Sequence, residues 1–283
     1  VSGGRLTLTA RLSRSEPFLD LDYTFEKLPT DETEAVYVRF PLALDDPRVL
    51  SEGHTAWTDW QDDALPGACR EWLPTQGGIL LAAPGREVLI LSPDVPLFTV
   101  GDVVRGRWDG TLPGPRHRVH SYVMNNHWRT NYPVRQDGTF RWRYRLAAGP
   151  ALDRAEGLRR SAEARRPLVA GRFSFQDFRE PAFPYAAPAG STLMTLSAGG
   201  GTVRLVTLKA AEDGRGFVAR LLETSGRPAA ARLGFPGRPV ARAEACDTLE
   251  RPAAGAVSVE DGEVIANLPA RGLASVRFEL TGR

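Results

Sequence analysis

The sequence contains few of the features that mark a secreted, disulfide-stabilised or membrane protein. Cysteine occurs only twice in 283 residues, at Cys69 and Cys246, which is too few for a disulfide framework, although one bridge between them stays open. Residues 1–15 have no continuous apolar segment of the kind found in a signal peptide. No apolar run approaches the roughly 20 residues of a membrane-spanning helix. We therefore expect a cytoplasmic protein with reduced thiols and no membrane partner.

The sequence also has few lysines and a small net charge. Only Lys27 and Lys209 are lysines among the 36 basic residues, and the formal net charge is +2 at pH 7. Because no strong overall field attracts polyanions, we expect no nucleic-acid partner. The preference for arginine, alanine, glycine and proline is typical of a bacterial genome rich in G and C.

The motifs of several enzyme classes are missing. There is no GxSxG nucleophile elbow, GxGxxG fingerprint or phosphate-binding loop. The two histidines of HRVH (117–120) would lie on opposite faces of a strand, which does not suit one metal ion. Asp59, Asp62 and Asp63 fit either the paired carboxylates of a glycosidase or the caps of turns in a solvated loop. We expect no metal site and no catalytic residue within the chain.

Strand-like alternation dominates the residues that are present. In residues 18–25, leucine and aromatic side chains alternate with Asp20, Asp22 and Thr24. Many short runs of this kind, separated by glycine, proline and aspartate, predict an all-β sandwich architecture. Comparable runs are found at 5–12, 35–40, 87–91, 139–146, 202–209, 217–223 and 272–280.

One short helix and one boundary complete the predicted organisation. Residues 151–166 place apolar side chains on one side of a helix and charges elsewhere. Residues 178–192 contain three prolines and little periodicity, which indicates a connector. We therefore predict a large β-sandwich domain at 1–188 and a small β-sandwich domain at 189–283.

Arginine alternates with aromatic residues in residues 139–146. The aromatic and leucine side chains project to one face, where a hydrophobic core is the simplest destination. Arg141, Arg143 and Arg145 project to the other face. Like charges along one strand repel, so we expect cross-strand acids or an acidic ligand opposite them.

The segment NNHWRTNY (125–132) is the main binding-site candidate. Its amide and hydroxyl groups match sugar hydroxyls, and an indole stacks on the C–H face of a sugar. The alternative is that the asparagines supply turn geometry and that the tryptophan packs in a core. The candidate residues are Asn125, Asn126, His127, Trp128, Thr130 and Asn131.

An ordered series of segments resembles the C-terminal half of the family 38 glycoside hydrolases, the α-mannosidases. The series covers the chain from residue 35 onward, and its order is more specific than any one segment. Its members are AVYVRFPLAL (35–44), DDALPGACREWLPTQGGILLA (62–82), LSPDVPLFTVGDV (91–103), YVMNNHWRTNY (122–132), GTFRWRYRL (138–146), VRLVTLKAAEDGRGFVARLLETSG (203–226), CDTLER (246–251) and NLPARGLASVRFEL (267–280).

The resemblance implies a partial, galactose-mutarotase-like large β-sandwich followed by a smaller β-sandwich. In such enzymes a zinc ion and the catalytic aspartates sit in an N-terminal α/β barrel, and this chain has no counterpart of their His-x-Asp motif. The resemblance therefore implies a non-catalytic region of a bacterial α-mannosidase, without its own cofactor, that packs on the barrel of the same polypeptide. It also implies that the asparagine segment approaches the catalytic domain and its carbohydrate substrate.

A second class of function, an independent carbohydrate-binding module, is kept open by Trp57, Trp60, Trp128 and the asparagine pair. Mutarotase-like epimerisation is a weaker option, because no histidine is paired with a carboxylate. The chain begins with valine and is expected to be a fragment. A fragment should expose an apolar patch or an unpaired strand edge near its N-terminus or around 57–73.

Overall fold

The computed structural model describes residues 3–14, 16–54, 56–103, 106–126, 135–166 and 192–281. The chain separates by its internal contacts into two compact units, Val1–Pro167 and Leu168–Arg283. Nineteen strands and one helix in the described residues confirm the all-β prediction. The boundary predicted near residue 188 lies outside the described residues and stays a prediction.

The first unit contains two antiparallel sheets and the helix. One sheet has the strand order β1-β2-β11-β8-β7-β4-β5, and the other has the order β3-β10-β9-β6. The elements are β1 (Gly4–Leu12), β2 (Leu19–Lys27), β3 (Glu34–Pro41), β4 (Arg48–Glu52), β5 (Trp57–Asp59), β6 (Leu73–Pro74), β7 (Gly78–Ala83), β8 (Arg86–Leu91), β9 (Leu97–Val100), β10 (Arg118–Asn126), β11 (Gly138–Gly149) and α1 (Arg154–Arg165).

The core of the first unit lies between the inner faces of these two sheets. Alternation in β11 places Trp142 and Tyr144 in this core with Phe40, Phe98 and Val119, as the sequence predicts. Burying each large aromatic side chain contributes roughly 2–3 kcal/mol. The large sandwich is therefore organised around aromatic side chains of β11.

Helix α1 packs on the outside of the seven-stranded sheet. Its N-cap is Asp153, whose Oδ1 accepts from the backbone amides of Ala155 at 2.8 Å and Glu156 at 3.0 Å. Leu158 is buried in a small cluster with Trp57 and Leu89. The helix lies inside the predicted range of 151–166, because its apolar stripe is visible in the sequence.

The second unit is a smaller sandwich of two four-stranded antiparallel sheets. Their strand orders are β12-β15-β18-β17 and β13-β14-β19-β16. Leu221, Leu233, Val264, Val276 and Phe278 belong to its core. The strands are β12 (Thr195–Gly199), β13 (Val203–Ala210), β14 (Phe217–Glu223), β15 (Ala229–Gly234), β16 (Val240–Cys246), β17 (Val257–Glu260), β18 (Glu263–Leu268) and β19 (Leu273–Leu280).

Candidate functional site

The asparagine pair lies at the end of β10, and its two members have different environments. Asn125 is half-buried, and its Nδ2 donates to the hydroxyl of Tyr122. Asn126 is 1% exposed, and its Nδ2 lies 3.4 Å from the carbonyl oxygen of Thr30 and 3.5 Å from Glu34 Oε1. The other four candidates, His127, Trp128, Thr130 and Asn131, lie outside the described residues, so the substrate-facing role of the segment stays a prediction.

Asn126 belongs to a buried polar cluster. The ammonium of Lys27 is 2.7 Å from Glu34 Oε1 and donates to the carbonyl oxygen of Leu28 at 3.3 Å. Lys27 is 3% exposed, so this ion pair lies in a low-dielectric environment. The Oδ1 atom of Asn126 is buried and has no hydrogen-bond donor among the described residues. Buried amide oxygens are almost always hydrogen-bonded, because leaving one without a donor destabilises the fold. The unsatisfied oxygen of Asn126 is therefore an unusual feature of this strand end.

A row of rings lies beside Asn125 on the outward face of β3 and β10. Tyr37 and Tyr122 are stacked with centroids 4.9 Å apart, and Trp72 contacts Tyr122 at the same distance. His120 meets the edge of Tyr37 at 6.5 Å. Sequence reasoning missed this row, because the cross-strand register of β3 with β10 pairs Tyr37 with Tyr122 and no local spacing reveals it.

Of the three arginines predicted to face acids, Arg145 has a cross-strand acid and Arg143 has an acid from the loop between β8 and β9. Antiparallel pairing places Arg145 opposite Asp20, and the guanidinium bonds both carboxylate oxygens at 2.6 and 3.0 Å. Arg143 forms a similar bidentate pair with Asp94 at 2.9 Å. The hydrogen bond that Arg145 donates to the carboxylate of Asp20 raises the pKa of Arg145. These paired charges need no acidic ligand to balance them.

An open pocket of about 280 Å³ lies over this charged face. Its polar lining holds arginines and acids in equal number, namely Arg11, Asp20, Asp22, Arg143, Arg145 and Glu163. Arg11 also pairs with Asp22. The arginines that line the pocket are therefore each bonded to a carboxylate. Such a surface accepts and donates hydrogen bonds but does not attract a charged ligand.

The aspartates between the tryptophans serve local structure. Asp63 Oδ2 accepts from the backbone amide of Asp59 at 2.8 Å, and Asp59 Oδ1 accepts from that of Gln61 at 2.9 Å. Asp59 and Asp62 both pair with Arg48. Of the two interpretations of this loop, these contacts support the one in which the aspartates cap turns.

The neighbouring tryptophans are structural as well. Trp57 is 7% exposed, and its Nε1 donates to the carbonyl oxygen of Arg154 at 2.9 Å. Trp60 packs against the core, and its Nε1 donates to Ser51 Oγ at 2.8 Å. Trp57 therefore presents no face to a sugar, and Trp60 is only partly exposed, which weakens the carbohydrate-binding alternative that both residues motivated.

The described residues contain neither a metal-binding cluster nor a membrane-spanning helix. In that part of the chain, no three His, Cys, Asp or Glu side chains are grouped so as to hold a metal ion, which means that zinc does not fit any described cluster. The described helix is twelve residues long and too polar to cross a bilayer. Cys69 and Cys246 are free thiols, and burial raises the pKa of Cys246.

The chain is similar to known proteins in part of its sequence and in its fold. Residues 202–281 match the glycosyl hydrolases family 38 C-terminal beta sandwich domain. The whole chain is similar to the crystal structure of an alpha-mannosidase from Enterococcus faecalis V583, with a TM-score of 0.65 and 14% sequence identity. The similarity covers 98% of this chain and 29% of that enzyme, so the chain spans less than a third of its length. No curated protein sequence matches the chain. The resemblance predicted from the ordered segments is confirmed.

Proposed function

We propose that this chain, which carries a family 38 C-terminal β-sandwich domain, is the non-catalytic β-sandwich region of a bacterial α-mannosidase. In this proposal it packs on a zinc-dependent catalytic barrel of the same polypeptide and shapes the cleft that binds α-mannosides. The zinc ion would be held by the barrel, and the parent enzyme would act in the cytoplasm on carbohydrate. The fold similarity to 29% of a mannosidase supports this division of roles.

The observation that carries the proposal is the exposed apolar face of β1. Leu6, Leu8 and Leu12 are 58%, 50% and 76% exposed, although they share a sheet face with the apolar side chains of β2. The clustered core includes Phe25 of β2 but none of the β1 leucines. Because burying a leucine side chain contributes about 1.5–3 kcal/mol, an uncovered row of three indicates a surface that another part of a protein covers.

The open edges of the sheets support the same conclusion. β1 is the terminal strand of the seven-stranded sheet and β3 is the terminal strand of the opposing sheet. Each pairs on one side only within the described residues, which leaves backbone groups for a further strand. Leu65, which is 78% exposed, lies in the second region predicted from the sequence to carry apolar surface. The exposed row on β1 matches the surface predicted near the N-terminus, whereas Leu65 is a single exposed side chain and does not by itself make a patch at 57–73.

Two measurements test the proposed function. The coding sequence upstream of Val1 should encode a barrel with zinc-binding and aspartate motifs, and its absence would refute the proposal. The isolated chain should show no turnover of an aryl α-mannoside in the presence of zinc, whereas the polypeptide that includes the barrel should turn it over. Substantial turnover by the isolated chain would overturn the non-catalytic assignment.

A matched pair of substitutions tests the packing role. In the polypeptide that includes the barrel, Leu8→Asp should lower thermal stability and mannosidase activity, because it puts a charge into the covered interface. Leu249→Asp is the control, since Leu249 is also exposed, at 66%, but lies in the second unit. Equal effects of the two substitutions would show that the β1 face is not the packing surface.

A further inference from the structure

Trp108 is held in an exposed position by its backbone. The side chain is 70% exposed, and its φ angle is 58°. A single exposed apolar residue is ordinary. A bulky residue in the left-handed region is not, because its Cβ makes the conformation unfavourable unless the surroundings enforce it.

Glu71 enforces this conformation from beneath the loop. Its carboxylate is 4% exposed and accepts from the backbone amides of Gly106 at 3.0 Å, Arg107 at 2.8 Å and Trp108 at 2.7 Å. These hydrogen bonds, the one from Gly106 first, lower the pKa of Glu71 despite its burial. The carboxylate therefore stays charged at neutral pH and clamps three successive amides.

The indole itself is also oriented. Its Nε1 donates to the carbonyl oxygen of Gly67 at 3.1 Å, and the backbone amide of Arg70 donates to the carbonyl oxygen of Asp109 at 2.7 Å. The ring is thus fixed by its edge while most of its surface stays in solvent. A ligand that stacks on this ring pays little ordering entropy, which is how a preorganised site gains affinity.

The charged side chains of the loop that carries Trp108 limit which ligand fits. Arg107 Nη2 lies 3.4 Å from Asp102 Oδ2 and 3.8 Å from Asp109 Oδ2. Two carboxylates and one guanidinium give this patch a negative balance, which disfavours phosphate-bearing nucleic acids and anionic membranes. Aspartate is depleted in protein–protein interfaces, so Asp102 and Asp109 also disfavour a protein partner. Hydroxyl groups, in contrast, accept from guanidinium and donate to carboxylate.

We propose that Trp108, Arg107 and Asp102 form a binding surface for a neutral pyranoside. The indole stacks on the C–H face of the sugar, and Arg107 and Asp102 bond its ring hydroxyls. This inference goes beyond the proposed function, because binding here needs neither the barrel nor the asparagine segment.

Nuclear magnetic resonance of the tryptophan indole N–H groups tests the proposal. The chain has six tryptophans, and the Trp108 signal is identified by its loss in Trp108→Ala. Titration with methyl α-mannopyranoside should shift this signal saturably at millimolar concentration. Because the Trp108 signal is absent in its two variants, their affinity is measured from the signals of the sugar by saturation transfer. Affinity should fall about tenfold in Trp108→Ala, which is the scale of one lost aromatic contact, and should be largely retained in Trp108→Phe. Leu249→Ala should bind as the unsubstituted chain does.

The remaining outcomes overturn the proposal. No saturable shift of the Trp108 signal, or equal affinity after Trp108→Ala, would exclude a sugar site at this ring. A shift that follows protein concentration without sugar would make the ring a protein contact instead. Unchanged signals of the other indoles show that a variant is folded. Arg107→Ala is a second variant, which should weaken binding while the Trp108 ring is still present. A titration without binding does not contradict the proposed function, because that function is tested by the activity assay and by the upstream coding sequence.

Discussion

The hydroxyl of Tyr144 donates a hydrogen bond to Ser121 Oγ at 2.8 Å, and both residues are at most 1% exposed. Tyr144 lies on β11 of the seven-stranded sheet, and Ser121 lies on β10 of the opposing sheet. Burial raises the pKa of Tyr144, so its hydroxyl stays protonated and acts as the donor at neutral pH. This polar contact joins the two sheets across the hydrophobic core.

Tyr144→Phe should lower the free energy of unfolding of the first unit by about 1–3 kcal/mol, because the buried hydroxyl of Ser121 loses its partner. The double variant Tyr144→Phe/Ser121→Ala leaves neither group unpaired and should show a coupling of about 0.5–1.5 kcal/mol. Tryptophan fluorescence during urea unfolding reports this unit specifically, since every tryptophan precedes residue 143. Strict additivity of the two substitutions would mean that the bond does not couple the sheets.

The exposed row on β1 predicts self-association of the isolated chain. Leu8→Lys should reduce association at a given concentration, because a charge on an edge strand blocks pairing with another chain. Its effect on unfolding should stay within about 0.5 kcal/mol, since Leu8 is half exposed. Sedimentation velocity over a concentration series is the measurement, with Leu249→Lys as the control. The expectation fails if both variants associate as the unsubstituted chain does.

The attachment of α1 depends on a buried acid. Glu52 is 2% exposed; its Oε1 accepts from Arg165 Nη2 at 2.7 Å, and Ser161 Oγ donates to its Oε2. Arg165→Ala should destabilise the first unit by about 3 kcal/mol, because it leaves a buried carboxylate without its cation. Glu163→Ala, on the exposed face of the same helix, should cost at most about 0.5 kcal/mol. Amide exchange within α1 distinguishes them, and equal protection in the two variants would contradict this assignment.

Local patterns predicted the architecture well for a physical reason. Strand alternation depends on adjacent residues, so the run at 139–146 falls inside β11. Arg145 receives its acid, Asp20, from the neighbouring strand β2, whereas Arg143 bonds Asp94 in a loop. Helix α1 was predicted by an apolar stripe and begins after the aspartate cap. The fold-level identity came from the order of many such segments, which a single segment does not contain.

The candidate sites were less predictable, because they depend on contacts distant in sequence. Glu71 clamps the Trp108 loop from more than thirty residues away, and nothing near either residue signals the contact. Trp57 and Trp60 lie in a segment whose composition resembles that of a sugar-binding loop. Their indoles nevertheless donate hydrogen bonds to a backbone oxygen and a side-chain oxygen within the protein. Composition reveals which side chains are able to stack on a sugar, but only tertiary packing decides which of them remain exposed.

Glu223 gives the second unit a defined acid sensitivity. It is fully buried, and its carboxylate accepts from the backbone amides of Ser225, Gly226 and Arg271 at 2.6–2.9 Å. Burial alone raises the pKa of Glu223, but the hydrogen bonds outweigh it and lower the pKa from 4.5 to about 2. Because the folded value lies below the unfolded value, the stability that Glu223 contributes is complete above about pH 4.5 and is lost as the pH falls toward 2.

Glu223→Gln should therefore destabilise the second unit at neutral pH by about 1.5–3 kcal/mol, since the amide replaces a charged acceptor of several backbone donors. Its stability should also depend less on pH than that of the unsubstituted chain between pH 4.5 and 2. Calorimetry records the unfolding transitions of both units, and tryptophan fluorescence records only that of the first unit. The transition seen by calorimetry alone is therefore that of the second unit. Glu260→Gln, at an exposed acid of the same unit, is the control. An unchanged pH slope in Glu223→Gln would show that other carboxylates, rather than this buried one, determine the acid sensitivity of the second unit.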